Sequence, residues 1–220
     1  MDENLNNTEE NNSFDENEKE FRQVKDSNLK TETKDFKNYI KNIFKNPIEE
    51  IKKCTLETKD KILKNAIIIL AIWIIAILLK IIFNDYLYGY TSSFSFFIKQ
   101  LLVNLLTPII SVGILSGVVY AINPKSNKSY LNIASTIIIA KIPIVIASIF
   151  SLINIIGNEI GRITSLFSGY CNILSTVLLY FAIKEIFEEN ENNKIFWKFS
   201  LIMGIFYIAK LIFSFLGIYL

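Results

Sequence analysis

Apolar residues fill five stretches of the chain with little interruption: Ala66–Phe83, Phe96–Ile122, Leu131–Ile156, Thr164–Phe187 and Ile195–Leu220. A helix rises about 1.5 Å per residue, so about 20 residues cross a hydrocarbon core of roughly 30 Å. The first stretch has only 18 residues, and Lys80 near its end can reach outward to the headgroups. A soluble helix of such length would carry a charged face, and none of the five does. The pattern predicts an all-α polytopic membrane protein, with five transmembrane helices over residues 65–220. The connections Asn84–Ser95, Asn123–Tyr130, Gly157–Ile163 and Glu188–Lys194 are short and polar, so neighbouring spans are expected to run antiparallel as a bundle.

Before the first span the apolar positions change to helical spacing. Phe36, Tyr39, Ile40, Ile43 and Phe44, then Ile48 and Ile51, fall on one face, with Lys37, Lys41 and Lys45 opposite. Aromatic and aliphatic anchors opposite lysines predict an amphipathic collar, residues 35–64, lying in the membrane interface against anionic lipid headgroups. The other arrangement open to it is packing against the cytoplasmic ends of the spans. Asn46-Pro47-Ile48-Glu49 reads as a break and restart: Asn46 suits an N-cap, Pro47 the first helical position and Glu49 a capping box, with Glu50 beside the positive helix end. The second helix is expected to run through Lys53 and join the first span. Residues 1–34, rich in Asn, Glu, Asp and Ser, offer too little apolar surface to offset ordering entropy and are expected to be a disordered cytoplasmic tail.

Charge sharpens this division. The net charge of +2 is an average over −6 in residues 1–29 and +4 in residues 30–64. Near the span ends, the N-terminal side holds Lys52, Lys53, Lys59, Lys61, Lys64, Lys125, Lys128, Lys184, Lys194 and Lys198, against Lys80, Lys99 and Arg162 on the other. This bias predicts a cytoplasmic N-terminus and, with five spans, an external C-terminus in the cell membrane.

Inside the spans, Gly113, Gly117 and Ala121 form a small-residue stripe suited to helix packing, and Pro108 is expected to bend the second span. Ser165, Ser168, Gly169, Asn172, Ser175 and Thr176 follow one side of the fourth span and should face other helices, either in interhelical hydrogen bonds or as the wall of a hydrated groove. Lys141, two residues before Pro143, and Lys210 lie deep in spans with no carboxylate at their depth. They need water, a carbonyl, an amide such as Asn104, Asn154 or Asn172, or a lipid or other anion.

The chain has no histidine, which removes the commonest general base and metal ligand, and no cofactor is expected. Cys54 and Cys171 fall in different environments, so no disulfide is expected. Gly157-Asn-Glu-Ile-Gly161 lacks the Lys-Ser/Thr of a phosphate loop. There is no Gly-x-Ser-x-Gly elbow and no intramembrane carboxylate pair, so enzymatic chemistry is not expected.

An acidic tail, the pre-span segment Phe44-Lys-Asn-Pro47-Ile-Glu-Glu-Ile51, a third span containing Ala140-Lys-Ile-Pro143-Ile-Val-Ile-Ala-Ser148, and five spans with an external C-terminus together resemble the Yip family of Ypt/Rab-interacting membrane proteins, in its bacterial branch. The resemblance covers residues 36–220. It implies a non-enzymatic membrane scaffold or organiser, whose partners are the lipid bilayer and other membrane proteins or a second copy, not nucleic acid. The GTPase partner of eukaryotic members does not carry over. The alternative is a small transporter or permease subunit with a polar path near Lys141 and Asn172. Against it stand the lack of internal repeats and of paired broken helices.

Overall fold

The structure, a computed structural model, describes residues 37–56, 59–88, 94–123, 128–156 and 160–215. The expected tail, Phe36, Lys125 and the last five residues lie outside them. Two units make up the chain, Met1–Asn46 and Pro47–Leu220. The described part of the first is a helix, α1, at 37–45, whose last turn is closed by the Asn46 N–H donating to the Asn42 carbonyl at 2.8 Å. Tyr39 and Ile43 are buried, Ile40 is partly buried, Phe44 is half exposed, and Lys37, Lys41 and Lys45 are exposed.

The second unit contains α2 (Pro47–Leu56), α3 (Lys59–Tyr88), α4 (Phe94–Ile122), α5 (Tyr130–Ala140), α6 (Ile142–Phe150), a 3-10 segment at Ser151–Ile156, α7 (Ile160–Phe187) and α8 (Asn192–Phe215). Four of these helices are long and apolar enough to cross a membrane, or five when α5 and α6 count as one bent span. The fold is all-α and of membrane type. The 18-residue first stretch proves no obstacle, because it lies within a longer helix in which Asp60–Phe83, 24 residues, is long and apolar enough to cross. At the other end of the bundle the expected 157–163 loop is partly helix: α7 begins at Ile160, placing Gly161 and Arg162 in its first turn.

The expected junction of α2 with the first span falls at residues 57–58, outside the described residues. Helix α2 packs against α7 and α5, sealing Ile51 and Cys54 almost completely from solvent. The reason is local: Ile51 and Cys54 share one face at a spacing of three, and Glu50 beside them is buried, with its carboxylate accepting from the Lys53 ammonium at 3.0 Å. That hydrogen bond holds the Lys53 ammonium above the ordinary lysine range. For this second half of the collar, packing on the bundle replaces a wholly interfacial placement, although Ile48 stays exposed.

The bundle is organised around its third span. Helix α5 lies against α3, α4 and α7, and α6 against α3 and α7. Ile133, Ile137, Ile139, Ala140, Ile142 and Val145 are accordingly buried around most of the helix circumference, as an apolar-all-round helix at the centre of a bundle requires. Helix α8 is peripheral: it rests on α4 and α7, burying Ile195, Ile202 and Phe206, while Trp197, Tyr207, Leu211 and Phe215 stay exposed.

Polar contacts tie the loops at one end. Lys128 donates to the Glu185 carbonyl at 2.7 Å and approaches the Glu188 carboxylate at 3.6 Å, joining the α4–α5 connection to the C-terminus of α7. Lys198 donates to Glu189 at 2.9 Å and its ammonium lies over the Phe187 ring. Glu188 has a φ of 52°, and the Glu189 N–H reaches back to the Lys184 carbonyl at 3.4 Å, so α7 ends in a left-handed cap that glycine fills best. Glu188→Gly is expected to stabilise the protein by about 1 kcal/mol, read from thermal unfolding, because the exposed Glu188 carboxylate meets Lys128 only at 3.6 Å and that pair contributes little. The Glu189 carboxyl is held below the ordinary carboxylate range, chiefly by its hydrogen bond from Lys198. Its contribution to stability is therefore present at neutral pH and is lost as acid carries the pH down through that depressed value. Glu189→Gln should remove this part of the acid dependence in unfolding curves recorded across that window.

Candidate functional site at the break in the third span

The third span bends by 45° between α5 and α6, and Lys141 is the residue at the break. Proline accounts for it. Pro143 has no N–H, so the Ile139 carbonyl loses its usual partner four residues on. The Ile144 N–H then turns to the Lys141 carbonyl at 2.9 Å, three residues back, instead of to Ala140. The orphaned Ala140 carbonyl is taken by the Ser175 hydroxyl, which donates across from α7 at 3.0 Å in a buried position. Pro108, where a bend is also expected, lies inside the continuous helix α4. The broken span is the third, where a neighbouring helix supplies the missing donor.

The two halves nevertheless run in one direction along α7. Lys128, just before α5, meets Glu185; Ala140 meets Ser175; and Phe150, at the end of α6, stacks against Phe167 with ring centroids 4.7 Å apart. These contacts descend α7 in strict antiparallel order over the eighteen residues from Glu185 to Phe167, a rise of about 27 Å. A re-entrant loop would turn back partway. This segment does not.

Lys141, at the break, and Lys210, in α8, are both partly buried. The Lys210 ammonium also lies 5.8 Å from the centre of the Phe206 ring. Ion pairs form at Lys53, Lys128, Lys194 and Lys198, and none of these involves Lys141 or Lys210.

The polar side of α7 divides. Ser175 is turned inward to Ala140, whereas Ser165, Gly169, Asn172 and Thr176 are exposed. The Asn172 amide donates to the Ser168 carbonyl at 3.0 Å and the Thr176 hydroxyl to the Asn172 carbonyl at 2.9 Å, both along their own helix. Of this row, therefore, Ser175 alone makes the interhelical hydrogen bond anticipated for it, among the described residues. On α4, Gly113 lies beside α5: its carbonyl accepts from the Tyr130 hydroxyl at 3.1 Å, and an added Cβ would meet that oxygen at 3.9 Å. A Cβ on Gly117 would meet nothing within 4 Å, and Ala121 is exposed, so the lower part of the stripe faces open space within this chain. Asn104 is partly buried, and the Asn154 side chain is not among those described. No group of three or more metal-ligating side chains occurs among the described residues. Comparison with protein-family models, with curated proteins and with solved structures finds no match to this chain.

Proposed function

We propose that this is a non-enzymatic integral membrane scaffold of Yip-like type, seated in the cell membrane with its N-terminus in the cytoplasm, which organises other membrane proteins through the outer face of α7. The observation that carries this reading is the exposed row Ser165, Gly169, Asn172 and Thr176. A side-chain amide has two N–H donors and a carbonyl acceptor, and the Ser168 bond uses one donor. Facing lipid, the remaining groups would be unsatisfied, at a cost that helix association relieves. Small residues on either side of Asn172 allow a second helix to approach closely. The resemblance of the pre-span and third-span segments to the Yip family supports the same class of role.

A solute path is the second reading, and the broken span at Lys141 favours it, since transporters place substrates at interrupted helices. Such interruptions come in pairs related by internal repeats, and α5–α6 is the one bent pair among the described residues.

A photo-crosslinking side chain at Ile173, exposed beside Asn172, tests the scaffold reading in native membranes. The expected result is a discrete adduct with one membrane protein, or with a second copy, that weakens when Asn172 is replaced by leucine. Adducts with lipid alone would contradict it.

A further inference from the structure

Two short helices precede the first span, and each leaves lysine and apolar side chains exposed together. In α1, residues 37–45 hold three lysines and no acid. Lys37, Lys41 and Lys45 follow one another at a spacing of four, and all three are exposed. Half-exposed Phe44 shares their face, three residues after Lys41 and seven after Lys37. Tyr39 and Ile43, which a wholly interfacial helix would sink into lipid, are buried in the protein instead. None of the ion pairs at Lys53, Lys128, Lys194 and Lys198 involves the α1 lysines. In α2, the docked face leaves Ile48, Lys52 and Leu56 exposed, again at a spacing of four.

A row of lysines ordinarily faces water, and here the tether decides what else it meets. The apolar crossing segment of α3 begins at Asp60, four residues after Leu56, so at most about 14 Å of chain separates Leu56 from the edge of that segment. Helix α1 ends at Lys45, two residues before α2 begins at Pro47. A surface tethered so closely to a span meets the bilayer at high effective concentration. The chemistry matches as well: lysines attract anionic headgroups over about a Debye length, and an exposed aromatic ring beside them can enter the headgroup boundary. We propose that the Lys37, Lys41 and Lys45 row of α1, with Phe44 beside it, binds the anionic lipid headgroups of the leaflet at which α3 enters the bilayer. Because Tyr39 and Ile43 are taken up by the protein, the contact is shallow and electrostatic, and it follows lipid charge and salt. Residues 1–29, with a charge of −6, are the other polyanion tethered to this row. The row shares no residue with the outer face of α7, so either proposal can fail without the other.

The test uses the full chain with a fluorescent side chain in place of the exposed Asn38, reconstituted in nanodiscs of phosphatidylcholine alone or mixed with phosphatidylglycerol. A trace of lipid spin-labelled at the headgroup quenches the reporter when α1 lies on the bilayer. The expected result is quenching in the phosphatidylglycerol discs, reversed by molar salt, and little in phosphatidylcholine. Lys37→Gln/Lys41→Gln/Lys45→Gln should move the equilibrium toward the unquenched state about a hundredfold, from roughly fivefold per lysine. The three corresponding arginine substitutions should retain the quenching. Lys41→Gln alone, with its roughly fivefold shift, gives the same reading where the triple variant fails to reconstitute. No quenching, equal quenching in the two lipids, or quenching undiminished in the glutamine variants would overturn the proposal. Quenching that appears only after residues 1–29 are removed would assign the row to that acidic segment and would overturn it as well.

Discussion

Ile51→Asp is expected to undock α2 from the bundle and raise the labelling rate of Cys54 by a maleimide about a hundredfold or more. Ile51 is wholly buried and Cys54 nearly so, on the face that α2 turns toward α7 and α5. Removing a fully buried isoleucine forfeits about 1.5–3 kcal/mol, and a carboxylate in its place adds a desolvation cost. A loss of about 2.7 kcal/mol corresponds to a hundredfold change in the docked population. Cys171 on α7, also buried and free, serves as the internal control and should remain protected. If both thiols react at unchanged rates, α2 is not held by this contact.

At the break, Ser175→Ala and Ser175→Leu should separate a lost hydrogen bond from a lost fit. The Ser175 hydroxyl is the donor that completes the Ala140 carbonyl. Its removal by alanine is expected to cost about 1 kcal/mol, in keeping with interhelical hydrogen bonds in membranes. Leucine removes the same bond and also forces added volume into a position with 1% exposure, so about 3 kcal/mol is expected in total. Reversible unfolding in mixed micelles measures both. A further check lies in Pro143→Ala, which restores an N–H four residues after Ile139 and lets the ladder close. In that background the cost of Ser175→Ala should shrink, because Ile144 can return to the Ala140 carbonyl.

These results bear on what a sequence of this kind discloses. The helices were legible because lipid imposes one requirement, an uninterrupted apolar run of sufficient length. Their packing faces were not. In α3, Ile69 is buried and Ile67 is 57% exposed, yet the two residues are chemically identical. With lipid outside and protein inside both apolar, no hydrophobic stripe distinguishes the face that packs from the face that does not. The same ambiguity covered α7, where Ser175 turns inward and Asn172 outward from one polar row. Proline was visible at 108 and 143 alike, but the broken ladder and its replacement donor are seen at the second, where the Ser175 hydroxyl from another helix meets the freed Ala140 carbonyl. The docking of α2 was weighed against an interfacial position, and it depended on a match between Ile51, Cys54 and helices more than 70 residues away in the chain.

The central claim is that α5 and α6 cross the membrane as one bent span, making five crossings in all. Its most direct measurement is protease access to small epitope tags on the two termini in sealed cells. Five crossings place the ends on opposite sides, so the C-terminal tag should be cleaved while the N-terminal tag survives until the membrane is opened. Equal access to both tags would mean an even number of crossings, with the α5–α6 segment turning back, and would contradict the account.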